Sequence, residues 1–334
     1  MTPLISISSA TVPFAAALLT VLALVPCEVE AKGTGLVFVS NEKSSTISVL
    51  DGKTQTVIDE FETCRRPRGM HFDLAQTRFY VGCADDDTIA VYEVDGLALV
   101  DRIRNVEEPE TFDLHPDGNR LFISNEEDAT ATVADLTTRR IVGEVFTGEE
   151  PEGVLITPDG ETVYVASEAA NLVHVIDAET LEVRADILVG TRPRRFALGR
   201  DGHELWVSAE LSGRVDIIDT ETNKVIESID FLPRGFRRNE VTPVDVLITR
   251  DGSTAYVALG RANHVAVVDV ATRNVRDYIL VGKRPWGLAL TRDESLLYVA
   301  NGLSDDLSII DVETRKVLKS VRVGLVPYGI LIDD

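Results

Sequence analysis

The chain has 334 residues, a net charge of −22 and a hydrophobic fraction of 44%. That fraction can bury a large core, and the acidic balance argues against nucleic acid or anionic lipid as a partner unless a local basic patch intervenes. After residue 31 no apolar run is long enough to read as a membrane span.

In chain order, the first element is an apolar run, Val12–Val25, too short to cross a bilayer comfortably. Val29-Glu30-Ala31 follows, with small residues at the −3 and −1 positions before Lys32. Residues 1–31 therefore read as a secretory signal peptide, although no Lys or Arg precedes the run. Pro26 before Cys27 fits a lipoprotein signal poorly. The expectation is export to the periplasm as one domain, residues 32–334. Cys64 and Cys83 remain after cleavage. An oxidising compartment permits a disulfide between them; the alternative is two free, half-buried thiols.

From residue 36 onward the chain repeats. Phe38-Val39, Tyr80-Val81, Phe122-Ile123, Tyr164-Val165, Trp206-Val207, Tyr256-Val257 and Tyr298-Val299 are spaced by 42 residues, except for one interval of 50. Seven repeats of this length, made of short β-branched runs and tight turns, predict an all-β seven-bladed β-propeller with four-stranded blades. Runs such as Val173-His174-Val175-Ile176 are almost continuously apolar, as expected of strands covered on both faces. Asp-Gly turns at Asp117, Asp159, Asp201 and Asp251 separate the first two strands, with Gly taking the positive φ. A second turn, Asp-x-x-Thr, begins at Asp51, Asp135, Asp177, Asp219, Asp269 and Asp311; these aspartates recur too evenly to form one active site. The chain starts on a second strand at Leu36 and stops at Asp334 after a first strand. Pairing of the C-terminal strand with the N-terminal blade is expected to close the ring and remove two exposed edges.

The loops leading into each first strand should open on one face. They carry Arg65, Arg66 and Arg68; Glu107, Glu108 and Glu110; Glu149, Glu150 and Glu152; Arg192, Arg194 and Arg195; an eight-residue insertion within Leu232–Thr242 with Arg234, Arg237 and Arg238; Lys283, Arg284 and Trp286; and Leu325 with Tyr328. The rim is expected to divide into acidic and basic sectors. Arg forks suit carboxylates and phosphates, and Trp286 and Tyr328 add aromatic contact area. The rim residues are thus candidates for binding an anionic small molecule or an acidic protein patch, unless neighbouring loops neutralise each other by salt bridging.

Several chemistries find no support. There is no Cys-x-x-Cys-His for haem attachment, no Gly-x-Ser-x-Gly elbow and no His-Glu-x-x-His metal motif. The five histidines occupy different repeats and different repeat positions. Asp85-Asp86-Asp87 is the tightest carboxylate group, of a kind calcium favours, but it also suits a solvated turn. No metal, catalytic residue or cofactor is expected from these patterns.

The Tyr-Val-x-Asn run, with its Pro-x-Gly lead-in and Pro-Asp-Gly turn, resembles the YVTN-type β-propeller repeat from Leu36 to Asp334. Leu114–Gly118, Ser124–Asp128, Val257–Asp269 and Asn301–Asp311 further resemble the propeller proteins associated with pyrroloquinoline-quinone-dependent catabolism. That resemblance implies an exported, non-enzymatic binding or scaffold protein, accessory to quinoprotein alcohol oxidation, with a quinoprotein dehydrogenase or ABC transporter component as partner. It brings no catalytic residues. Cys83, Ser167, Ala209 and Leu259 replace the Asn of the repeat, which weakens any idea of a functional Asn ring. The alternative is a lactonase-like, metal-dependent hydrolase using channel carboxylates such as Asp73, Asp113 and Asp245. A DNA-binding propeller is a third reading, opposed by the net charge and the leader.

Overall fold

Seven four-stranded antiparallel sheets make up the computed structural model, which describes Pro3 and residues 33–334. The proposed leader lies outside the described residues. One sheet shows the pattern: Pro151–Ile156 innermost, then Thr162–Ser167, Leu172–Asp177 and Val183–Leu188 outward. The seven innermost strands each begin at a proline: Pro67, Pro109, Pro151, Pro193, Pro243, Pro285 and Pro327. Each inner strand contacts the next around a central channel.

The ring closes as the chain ends require. Pro327–Asp333 pairs antiparallel with Leu36–Asn41, with Leu36 opposite Asp333 and Phe38 opposite Leu331. Thr34 ties the seam: its backbone N–H and its hydroxyl both donate to Asp333 Oδ2, at 2.8 and 2.6 Å.

The aligned aromatic–aliphatic pairs supply the core. All fourteen residues are at most 6% exposed, because one member faces each neighbouring sheet. Burying such side chains is worth about 1.5–3 kcal/mol each. The turn chemistry is local. In all six Asp-x-x-Thr turns the Asp carboxylate accepts from the Thr backbone N–H at 2.6–2.7 Å. Those bonds hold Asp51, Asp135, Asp177 and Asp269 below the usual carboxylate range; at Asp219 and Asp311 the Thr222 and Thr314 hydroxyls do so first, with the N–H bonds adding to them. Gly118, Gly160, Gly202 and Gly252 take φ of 72–76° at the Asp-Gly turns. The glycine of the Pro-x-Gly lead-in has a different task. At Gly153 a Cβ would overlap the Arg194 carbonyl oxygen, so glycine lets adjacent inner strands approach.

Cys64 and Cys83 form a disulfide, with Cα atoms 5.6 Å apart across 19 positions. It joins the loop carrying Arg65, Arg66 and Arg68 to the end of the second strand of that sheet. Closing a loop of this length restricts the unfolded chain by about 3 kcal/mol. Reduction, or a Cys64→Ala/Cys83→Ala variant, should lower the urea midpoint accordingly. An unchanged midpoint would show that the bridge does not constrain the unfolded state.

Candidate functional site: the channel mouth

The mouth is built by a repeated backbone device. The residue before six of the seven lead-in prolines adopts a left-handed conformation: Arg66, Glu108, Glu150, Arg192, Arg284 and Val326. This turns its carbonyl toward the backbone N–H just after the second strand, as in Glu168 N–H to Glu150 O at 2.8 Å and Glu210 N–H to Arg192 O at 2.9 Å. Side chains from both loops thereby converge. The residue after the proline is Arg68, Glu110, Glu152, Arg194, Val244, Trp286 or Tyr328, and all of these but Val244 meet one another across the mouth.

These groups form a buried ionic plug. Arg68 donates to Glu110 through Nε at 2.6 Å and to Glu42 through Nη1 at 2.9 Å. Arg194 lies 2.7 Å from Glu168, 3.0 Å from Glu210 and 3.1 Å from Glu152. Tyr328 donates its hydroxyl to Glu152 at 2.8 Å and accepts from Arg195. The Arg68 guanidinium lies 4.3 Å from the Tyr328 ring centre. Trp286 has Arg194 and Arg284 at 4.9 and 4.8 Å from its ring. Against the plug, a cavity of about 130 Å³ is lined by Arg195, Asp245, Tyr328 and inner-strand residues such as Phe112, Leu288 and Ile330.

The electrostatics separate three glutamates. Burial opposes ionisation of Glu152, but Arg194, Arg195 and Arg68 outweigh it and hold the carboxyl far below its ordinary range. Burial pushes Glu110 up despite Arg68. Burial and the Glu152 charge push Glu168 up to about 8, against the pull of Arg194 and Arg192. Between the ordinary carboxylate value and about 8 the folded state thus keeps a proton on Glu168 that the unfolded chain has lost. This contribution makes stability fall as pH rises through that window, by at most about 1.4 kcal/mol per pH unit. Glu168→Gln should flatten the slope in urea unfolding series; an unaltered slope would remove Glu168 as its source.

The rim residues singled out by sequence divide into two groups. Arg66, Arg68, Arg192, Arg194, Arg195, Arg284, Trp286 and Tyr328 gather at the mouth. Arg65 stays exposed and pairs with Asp86 at 2.6 Å. Arg237 and Arg238 sit outward on the insertion, in and beside a short 3₁₀ turn, Arg238–Glu240. Sequence reading missed Glu42, Glu126, Glu168 and Glu210. Repeat phase could have found them, because each directly follows the aligned position of Asn41, Asn125, Ser167 or Ala209.

The proposed hydrolase carboxylates Asp73, Asp113 and Asp245 do not converge. Asp73 caps its own turn through the Thr77 N–H at 2.8 Å. Asp113 and Asp245 each accept from a backbone N–H of the next inner strand, Ile156 and Leu288, both at 2.8 Å. Asp86 and Asp87 accept the backbone N–H groups of Arg65 and Glu108 respectively. Glu108, Glu110 and Glu126 bring carboxylate oxygens within 4.8 Å of one another. The position a cation would take is filled by the Arg66 guanidinium, which donates to all three. The residues therefore do not fit a metal ion there.

One constellation has the form of a catalytic triad. His174 Nε2 lies 3.0 Å from Ser167 Oγ, and Nδ1 lies 2.6 Å from Asp186. Ser167 is fully buried, however, and the Gly148 N–H points at this pair. In other blades Ser48, Asp216 and Ser308 accept the equivalent N–H groups of Gly324, Gly190 and Gly282. Ser167 and His174 belong to that structural cap, which satisfies a buried loop donor.

Residues 182–323 match the family model "Lactonase, 7-bladed beta-propeller". Solved structures share the fold at low identity. A periplasmic gluconolactonase from Pseudomonas aeruginosa is 21% identical, with TM-score 0.76 over 90% of this chain and 99% of that one. A Bacteroides uniformis protein assigned as a 6-phosphogluconolactonase is 14% identical, with TM-score 0.74 over 89% and 98%. Hydrazine synthase from Kuenenia stuttgartiensis is 19% identical, with TM-score 0.71 over 79% and 88%. No curated protein sequence matches the chain. The family match corrects the expectation of a non-enzymatic scaffold accessory to quinoprotein alcohol oxidation, because the model matched is that of a lactonase propeller; the structural likenesses carry the fold. The chain is a seven-bladed propeller similar, over residues 182–323, to the lactonase propellers.

Proposed function

We propose that the protein is a lactonase-like hydrolase acting at the channel mouth, on the wall formed by Glu168, Arg192, Glu210, Arg284 and Trp286. One coincidence of sequence and space carries this reading. The segment that matches the lactonase propeller supplies Arg192, Arg194, Arg195, Glu210, Arg284 and Trp286, which the fold gathers into one cluster.

Opening a cyclic ester adds water across the acyl C–O bond. A new C–O bond forms to the water oxygen, the ring C–O bond breaks, and the ring oxygen takes up the proton that the water releases. Arg192 and Arg284 keep 39% and 18% of their side chains exposed, enough to face a ligand. Their N–H groups suit the negative charge that develops on the carbonyl oxygen. Glu168, titrating near 8, is covered by Arg192 at 2.5 Å; movement of Arg192 onto the carbonyl oxygen uncovers it to accept the water proton and return it to the ring oxygen. Trp286, flanked by two guanidiniums, offers a flat surface to the substrate ring. No step is routed through a metal: Arg66 neutralises the trio Glu108, Glu110 and Glu126, and Arg194 is shared among Glu152, Glu168 and Glu210.

The leader proposed at residues 1–31 would deliver this activity to the periplasm. The finer resemblance to propellers associated with quinone-dependent catabolism rests on the sequence stretches alone. The test is acid release, followed by pH-stat, on a lactone panel beginning with gluconolactone. Arg192→Ala should lower kcat/KM by about 10²–10³-fold. Failure of the wild-type protein to open any lactone above the spontaneous rate would sink the reading.

A further inference from the structure

The eight-residue insertion has no part in the mouth. Phe231 and Val241 are buried at its two ends, and between them the Leu232 N–H donates to the Tyr278 hydroxyl at 3.0 Å. Phe236 packs edge-on against His264 with ring centres 5.5 Å apart. The Arg261 N–H donates to Thr242 at 2.8 Å. The loop is therefore fixed over the strands His264–Asp269 and Val275–Leu280.

Its outer surface combines two features. Arg234, Arg237, Arg261 and Lys283 are exposed and have no ion-pair partner among the described residues. Arg238 is also exposed, 3.4 Å from Asp230. Beside them lie Leu232, Leu280 and Leu303, exposed by 51, 65 and 66%. Leu303 is held there by its N–H to the Lys283 carbonyl, at 2.9 Å. In a chain of net charge −22, a group of unpaired cations around exposed leucines is a local inversion of the surface.

We propose that loop 231–242, with Arg261 and Lys283, is a docking surface for an acidic protein segment that carries apolar anchors. Charge complementarity selects the sign, and the leucines select an amphipathic occupant over a simple anion. Reach selects a short segment. The same face carries exposed Glu107, Glu127, Asp128, Glu149 and Glu150 on other blades. A DNA duplex or a bilayer covering the face would meet those carboxylates; a peptide confined to the insertion would meet instead Glu240, which accepts the Arg237 N–H at 2.8 Å, and Asp230, paired with Arg238.

The test uses the full mature chain and a labelled peptide of repeated Glu-Glu-Leu, followed by fluorescence anisotropy at low salt. A Glu-Glu-Ser peptide, a DNA duplex and anionic vesicles serve as competitors. Arg234→Glu/Arg237→Glu/Lys283→Glu should weaken Glu-Glu-Leu binding by about tenfold or more, and Leu232→Ser/Leu303→Ser by a similar factor. Thermal melts of both variants should stay close to the parent, and lactone opening should be unchanged, which separates this inference from the proposed activity. Absence of peptide binding, equal binding of Glu-Glu-Ser, or tighter binding of DNA or vesicles would overturn it. So would light scattering that shows a dimer dissociated by the triple variant, because the occupant would then be a second copy.

Discussion

Removal of residues 327–334 should leave a chain that no longer melts cooperatively and that aggregates. The lost strand is the inner member of the sheet whose other three strands open the chain. Ile330 and Ile332 pack against the cluster containing Val37, Val39, Leu50 and Tyr298. Tyr328 is buried in the plug, with its ring under Arg68 and its hydroxyl on Glu152. At about 1.5–3 kcal/mol for each fully buried apolar side chain, the loss competes with a typical total stability of about 5–15 kcal/mol. Leu36–Asn41 would also become an unpaired edge, open to pairing with other chains. Size-exclusion profiles and thermal melts of the truncated chain are the measurement. A truncated protein as monomeric and as hard to melt as the full chain would refute closure by this strand.

Arg194→Met should lower the unfolding free energy by about 3–5 kcal/mol. Arg194 is buried and shared among Glu152, Glu168 and Glu210. Methionine replaces much of its volume but leaves the Glu152 and Glu210 carboxylates facing each other and the Glu168 carboxyl without their common cation. Adding Glu168→Gln should recover part of the loss, because the two residues are in direct contact and their effects are not additive. The same change at exposed Arg237 should stay within about 0.5 kcal/mol. Urea unfolding near neutral pH decides the matter; a cost below about 1 kcal/mol at Arg194 would show that the plug does not hold the mouth together.

These two expectations differ in how far the sequence alone reaches. The seven-blade ring, its closure by pairing of Leu36–Ser40 with Gly329–Ile332, and the Asp-x-x-Thr turns were legible from residue order. Each depends on patterns carried along the chain: short, nearly continuous apolar runs, a turn residue at a set offset, and a repeat of 42 positions. The convergence of lead-in loops on one face was legible for the same reason. The destination of the charges was not. Arg68 and Arg194 read as open rim cations, yet both are buried in ion pairs, while Arg237 and Lys283 remain free at the surface. Arg66 fills a carboxylate trio that would otherwise suit a metal. Sequence by itself determined the ring and the positions available around its mouth. Only the tertiary structure decided which cation meets which carboxylate, because that choice depends on ångström-scale distances between side chains of different blades, and a one-dimensional repeat leaves those distances unspecified.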